Sequence, residues 1–224
     1  MTKSELKKYF TNAEEMNKNW HVGNDILYEM CMKYPNHKDN AEVIAKLWLI
    51  GRSYSAAIER GAKDETGEEL TEPVYEKMLP KALSEYREKI DEALSKLNKL
   101  DLHQIFSTYD LILKCFHKVS GKWNRSLASK YLHFHQPDIF YLMDSRAKKG
   151  QKHVLEALSL NIKIGKDEIK QFNISKESED YVKFYLKCQK CHKALEEEFN
   201  KKLSTRDLDN LLLVIADEFK RKKK

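Results

Sequence analysis

Apolar residues recur at three- and four-residue spacing along almost the whole chain, and little interrupts them: 224 residues contain only seven glycines and four prolines. A period near 3.6 belongs to a helix with one buried face, whereas strands alternate with period two and need frequent tight turns. The expected fold class is therefore all-α, a compact multi-helix bundle-like domain of roughly eight to ten helices. Hydrophobic residues at 41% are enough to build a core at this length, and they exclude a disordered chain despite 34% charged residues.

Start and stop signals place the helices. Asn24 is expected to cap one that carries Ile26, Leu27 and Met30 and ends before Pro35. Asp39 or Asn40 starts the next, expected to run to about Arg60. Its small residues Gly51, Ser53, Ser55, Ala56 and Ala57 imply that another helix backbone approaches closely. Residues 61–72 are acidic and apolar-poor, which predicts an exposed loop, and Thr71 with Pro73 reads as a helix start. Helices follow after Pro80 and after Asp101; Ser120-Gly121-Lys122 breaks the latter. Asn124 caps another, closed by Pro137, and Asp144 or Ser145 begins the next. Residues 161–173 read as a connection with a short extended piece at Ile162 and Ile164. Ser175 starts a long helix, and Ser204 to Asp207 has capping-box spacing before the last one. The expected organisation is a single domain over residues 1–219, with a helix-hairpin-helix-like core at about 102–160 and a basic tail at 220–224.

No stretch approaches 18 consecutive apolar residues, so no membrane span is expected. The first eight residues have no apolar core of a secretory signal. The expected location is cytoplasmic, with Cys31, Cys115, Cys188 and Cys191 as reduced thiols. Cys188-Gln189-Lys190-Cys191-His192 matches the haem-attachment string, yet both cysteines fall on the apolar stripe of their helix, where core thiols are the simpler reading. No second cysteine pair completes a zinc set, and His133 and His135 diverge by about 200° on a helix. No cofactor and no metal are expected.

Charge is unevenly placed. Residues 114–152 hold nine lysines and arginines against Asp138 and Asp144, a local +7. The last five residues add +5, while the whole chain is only +6, which leaves −6 for everything else. Positive charge gathered on one region of an acidic body is the arrangement expected where a polyanion is held. Nucleic acid is the expected partner, DNA ahead of RNA, with Lys122, Arg125, Lys130, Arg146, Lys148 and Lys149 on phosphates. His133 or His135 would hydrogen-bond a base, and Trp123, at a turn between Lys122 and Arg125, would offer a stacking platform.

Within the same region Val119-Ser120-Gly121-Lys122, Ala128 to Leu132, Pro137 to Phe140 and Met143-Asp144-Ser145-Arg146 follow one another as helix, glycine turn, helix, Pro turn and an Asp at a helix start. This order remotely resembles the helix-hairpin-helix DNA glycosylase superfamily. The resemblance implies a hairpin at Gly121 and Lys122, packing by Ala128 and Leu132, and a catalytic carboxylate at Asp144. The turn carries one glycine where that family has two. The string from Ser129 through Arg146 is also similar to a segment of uncharacterised bacterial helical proteins. Chemically, Asp144 has two readings: an N-cap, stabilising by about 1 kcal/mol, or a charge that stabilises an oxocarbenium ion beside a flipped nucleotide. Two alternatives stand beside it. Arg146 and His153 have the spacing of ribonucleases of the HEPN type, and a non-enzymatic helical module could present its basic face to an acidic protein.

Overall fold

The computed structural model describes residues 2–64 and 66–221, and within them the chain is all-α, without a strand. The helices are α1 (Lys3–Lys33), α2 (Asn40–Ser53), α3 (Leu79–Ser95, preceded by a π-helical turn over Val74–Met78), α4 (Leu102–Ser120), α5 (Arg125–His135), α6 (Ser145–Ala157), α7 (Lys166–Lys170), α8 (Glu179–Phe199, preceded by a 3-10 turn over Lys176–Ser178) and α9 (Thr205–Arg221). Lys220 and Arg221 thus close α9 instead of forming a separate tail, and 222–224 lie outside the described residues.

Most caps sit where short polar side chains precede apolar runs. Thr2 and Glu5 form a capping box on α1. Asp39 accepts from the Ala41 N–H at 2.7 Å, and Asp101 from the Gln104 N–H at 3.1 Å. Ser204 and Asp207 satisfy each other's N–H at 3.0 and 2.9 Å. Pro80 lies in the first turn of α3, where its missing N–H costs nothing.

Three expectations are corrected. Asn24 does not start a helix; it lies inside the 31-residue α1, and its side chain accepts from the Tyr54 hydroxyl at 2.6 Å. Tertiary use of that amide outcompetes local capping. Helix α2 ends at Ser53, well before Arg60, because the chain turns back on itself with Ser55 at φ 51°. The small residues serve that turn: a Cβ on Gly51 would sit 3.0 Å from the Ala57 backbone, so the close neighbour is the returning chain itself. Residues 161–173 contain the short α7 and no extended strand at Ile162 or Ile164.

One continuous apolar core runs from Leu6 on α1 to Ile215 on α9. Its centre is aromatic, with Tyr109 and Tyr181 stacked at 3.8 Å. Helices α6 and α9 form the most extensive contact among the described residues. Gly150 makes that approach possible, since a Cβ there would overlap the Leu212 carbonyl. Between α5 and α6 the chain is irregular yet buried from Ile139 to Met143. It is pinned by Ser129, whose hydroxyl accepts from the Met143 N–H at 2.9 Å. The four cysteines are buried free thiols, and burial pushes Cys31, Cys115 and Cys191 up to about 12. No helix among the described residues is long and apolar enough to cross a membrane.

Candidate nucleic-acid interface

The helix–turn–helix of α4 and α5 does form, but the backbone N–H groups of its turn are already engaged. Gly121 ends α4 in the left-handed conformation, φ 64°. Ser120 accepts from the Lys63 N–H at 2.8 Å through its carbonyl, and a Cβ on Gly121 would overlap the Lys63 carbonyl. The Gly121, Lys122, Asn124 and Arg125 N–H groups are all engaged within the turn. A hairpin that holds phosphate through free backbone N–H groups needs the opposite.

Several residues assigned to phosphate or base contact are structural. Lys130 is buried at 3% exposure; its ammonium donates to Ser126 Oγ at 2.8 Å and Asp144 Oδ2 at 3.2 Å. His133 is fully buried: Nδ1 donates to the Phe140 carbonyl at 2.8 Å, so Nε2 accepts from the Tyr28 hydroxyl at 2.6 Å. His135 stacks on His37 with ring centres 5.5 Å apart. The direct-contact reading of Lys130 and His133 is corrected, for a side chain closed in by the core cannot meet a polymer; His135 is half-buried, with its Nε2 shut off from solvent. Lys122 donates to the Arg60 carbonyl at 3.0 Å, and Arg125 to that of Glu177 at 2.7 Å. Trp123 is half-buried against the core with its ring 3.9 Å from that of His117, so it is no open platform. A contiguous run of charge in sequence therefore does not become a contiguous charged surface, since α5 is buried on nearly every side.

Asp144 is the N-cap of α6. Oδ1 accepts from the Arg146 and Ala147 N–H groups at 2.9 Å each, and Oδ2 takes the Lys130 ammonium. Burial would raise its pKa, but the Lys130 charge and the N–H bonds outweigh it and hold the carboxyl below the ordinary value. Next to this pair lies a network that the sequence pattern does not reveal. Arg206 is enclosed by the rings of Tyr28, Tyr54 and Phe134, at 5.4–5.8 Å from their centres. It donates to the Tyr28 hydroxyl at 3.0 and 3.1 Å and to Asp209 Oδ2 at 3.3 Å. Burial lifts the Asp209 carboxyl to about 6 against the pull of Arg206, with the Asp144 charge adding to the rise. A second inward network joins Asp91, His37 and Tyr131: His37 Nδ1 donates to Asp91 at 2.6 Å and Nε2 accepts from the Tyr131 hydroxyl at 2.7 Å. Close by, Lys46 is fully buried on the Tyr34 and Asn36 carbonyls, and burial lowers its pKa to about 8.

Arg146 and His153 both turn towards α9. Arg146 pairs with Asp217, and His153 stacks on Phe219 with ring centres 3.8 Å apart. His192 is held at both nitrogens, by the Tyr141 hydroxyl at 3.0 Å and the Leu203 carbonyl at 2.9 Å, which leaves no lone pair for a haem iron. No cluster able to hold a metal ion occurs among the described residues.

Exposed positive charge survives on α6 and gains a second row from α8. A groove of about 610 Å³ lies between these helices. Lys148 and Lys152 flank it from α6, one helical turn apart; Lys183 and Lys187 flank it from α8 with the same spacing. Leu155, Leu160 and Phe184 form an apolar floor. Lys148 pairs with Asp180 at 2.7 Å, Lys152 with Glu156 at 3.9 Å and Lys183 with Glu179 at 3.4 Å, all partly exposed to solvent. Lys149 stands exposed nearby. The i, i+4 spacing of Lys183 and Lys187 was visible in the sequence, but only packing shows that the row faces Lys148 and Lys152. Neither this groove nor the two other clefts described for the chain is lined by Asp144. Compared with protein-family models, curated proteins and solved structures, the chain matches none.

Proposed function

We propose that the protein binds nucleic acid along the groove between α6 and α8, with DNA as the first polymer to test. The observation that carries this reading is the pair of lysine rows, Lys148/Lys152 and Lys183/Lys187, set astride an apolar floor. Lysine ammonium groups are strongly hydrated point charges that suit a moving phosphate backbone. Their ion pairs with Asp180, Glu156 and Glu179 are solvent-exposed and worth at most about 1 kcal/mol each, so phosphates can replace them. The half-buried Leu155 and Leu160, backed by the buried Phe184, give the groove an apolar floor that suits the faces of unpaired bases.

Base excision at Asp144 is not part of this reading, because both carboxylate oxygens are engaged and no described cleft reaches them. Phosphodiester cleavage by Arg146 and His153 is set aside too, since each is occupied by α9.

The test is the salt dependence of binding to a short DNA oligonucleotide, single- and double-stranded. Each lysine–phosphate contact contributes a slope of about 0.7 to 0.9 in log affinity against log salt. Replacing Lys148, Lys152, Lys183 and Lys187 with Ser should reduce the slope by about 3. An unchanged slope in a folded quadruple variant, or no binding by the wild type at low salt, overturns the proposal.

A further inference from the structure

A second cleft, independent of the α6/α8 groove, lies where the loop after Gly61 meets α3 and α4. This half-open cleft has a volume of about 720 Å³, within the range of small-molecule sites. Three elements bring lysines to it: Lys63 from the loop, Lys81 from α3, and Lys114 and Lys118 from α4. The loop is held in place by backbone bonds. The Lys63 N–H donates to the Ser120 carbonyl at 2.8 Å and that of Leu70 to the Ala62 carbonyl at 3.0 Å.

Two of the four lysines have acidic partners and two have none among the described residues. Lys114 pairs with Asp110 at 2.6 Å, and Lys118 reaches Glu85 only at 3.8 Å. Lys63 and Lys81 are exposed and have no acidic partner among the described residues. Asp64 is the acidic residue among those described that line the cleft. Its carboxylate faces its own turn, accepting from the Thr66 N–H and hydroxyl at 2.8 and 2.7 Å and from the Glu68 N–H at 3.1 Å.

The rest of the wall is apolar. Leu70, Met78, Ala82 and the Tyr86 ring line it. His117 also lines the cleft, and its Nδ1 is buried with no hydrogen-bond partner. A half-open cleft lined by lysines from three elements and by an aromatic and aliphatic wall fits a ligand that is both dianionic and ring-bearing. We propose that this cleft binds a small phosphorylated ligand with an aromatic body, of which a nucleoside monophosphate is the type. Lys63 and Lys81 hold the phosphate, and Tyr86 and Met78 contact the ring.

The experiment titrates the full chain with AMP, adenosine and inorganic phosphate, followed by calorimetry and by the indole N–H resonance of Trp123, whose ring lies 3.9 Å from that of His117. AMP should bind saturably and shift that resonance, with adenosine and phosphate each weaker by about tenfold or more, since each lacks half of the contacts. Replacing Lys63 and Lys81 together with Ser should weaken AMP by about tenfold or more. Melting should not change, because both side chains are exposed and have no ion pair among the described residues. Replacing Lys148 and Lys152 with Ser should leave AMP binding alone, which keeps this proposal separable from the polymer groove. Absence of saturable AMP binding, adenosine binding as tightly as AMP, or equal weakening by both lysine pairs each overturns it.

Discussion

Asp144 shows how one carboxylate can hold several structural duties. Its Oδ1 caps α6 and its Oδ2 neutralises Lys130, whose side chain is 4% exposed. Asn caps about as well as Asp, so Asp144→Asn keeps the cap but removes the charge and the Oδ2 acceptor that takes the Lys130 ammonium. A buried ammonium left beside a neutral amide costs several kcal/mol when fully enclosed. Asp144 retains 30% exposure, so about 2 kcal/mol is the expected loss for Asp144→Asn. Asp144→Ala removes the cap as well and should cost about 1 kcal/mol more. Urea unfolding of both variants at neutral pH checks the order. An Asn variant as stable as wild type would show that the ion pair contributes nothing. The helix start and the cap at Asp144 were legible from its position before a helical run. Its partner Lys130 was not, because it lies fourteen residues away across a turn and was read as exposed.

At the scale of elements, the contact between α6 and α9 depends on Gly150. Two effects compete in Gly150→Ala. Alanine is the better helix former by about 1 kcal/mol. Its Cβ would overlap the Leu212 carbonyl, and because the clash is with backbone the helices must separate. Overpacking of that kind costs about 1–3 kcal/mol, and any exposure of the buried Leu212, Ala147 and Val154 adds to it. The expected outcome is net destabilisation by about 2 kcal/mol, read as a lower thermal midpoint. A variant more stable than wild type would mean that propensity wins and the helices accommodate the methyl. Gly23 on α1 makes the internal control: nothing lies within 4 Å of its Cβ position. Gly23→Ala should therefore stabilise by a few tenths to about 1 kcal/mol.

Taken as a whole, the molecule keeps three histidines neutral inside. Burial, helped by the Lys46 charge, lowers His37 to about 4; burial and nearby positive charge hold His133 and His135 well below the ordinary imidazole value. In the unfolded chain all three take up protons near pH 6.5. Stability contributed by these groups is therefore complete above pH 6.5 and lost as pH falls. Asp209 acts in the opposite sense: raised to about 6 in the fold, it binds a proton below pH 6 that the unfolded carboxyl accepts only near 4. Three groups that shed protons on folding against one that takes up a proton leave stability falling as pH drops below about 6. Native stabilities are about 5–15 kcal/mol, so the fold should be lost within a few pH units below neutrality. Chemical unfolding at stepped pH measures this directly. His135→Phe should flatten the acid limb by one proton, and a wild-type curve level from pH 7 to 4.5 would contradict the buried-neutral assignment.

The all-α class, most helix starts and the buried thiols follow from sequence alone, because 3.6-residue periodicity, caps and the scarcity of glycine and proline are local properties of the chain. Which charges face water is not local. Helix α5 carries Arg125, Lys130, His133 and His135 in eleven residues, and by composition it looks like a basic surface. Only the packing of α1, α2 and α4 around it turns Lys130 and His133 inward and leaves exposed charge on α6 and α8 instead. The Arg206–Tyr28–His133 chain joins residues up to 178 positions apart, and no periodicity encodes such a separation. Tertiary structure decided those contacts, since a buried ion or imidazole is tolerated only where distant groups complete its hydrogen bonds.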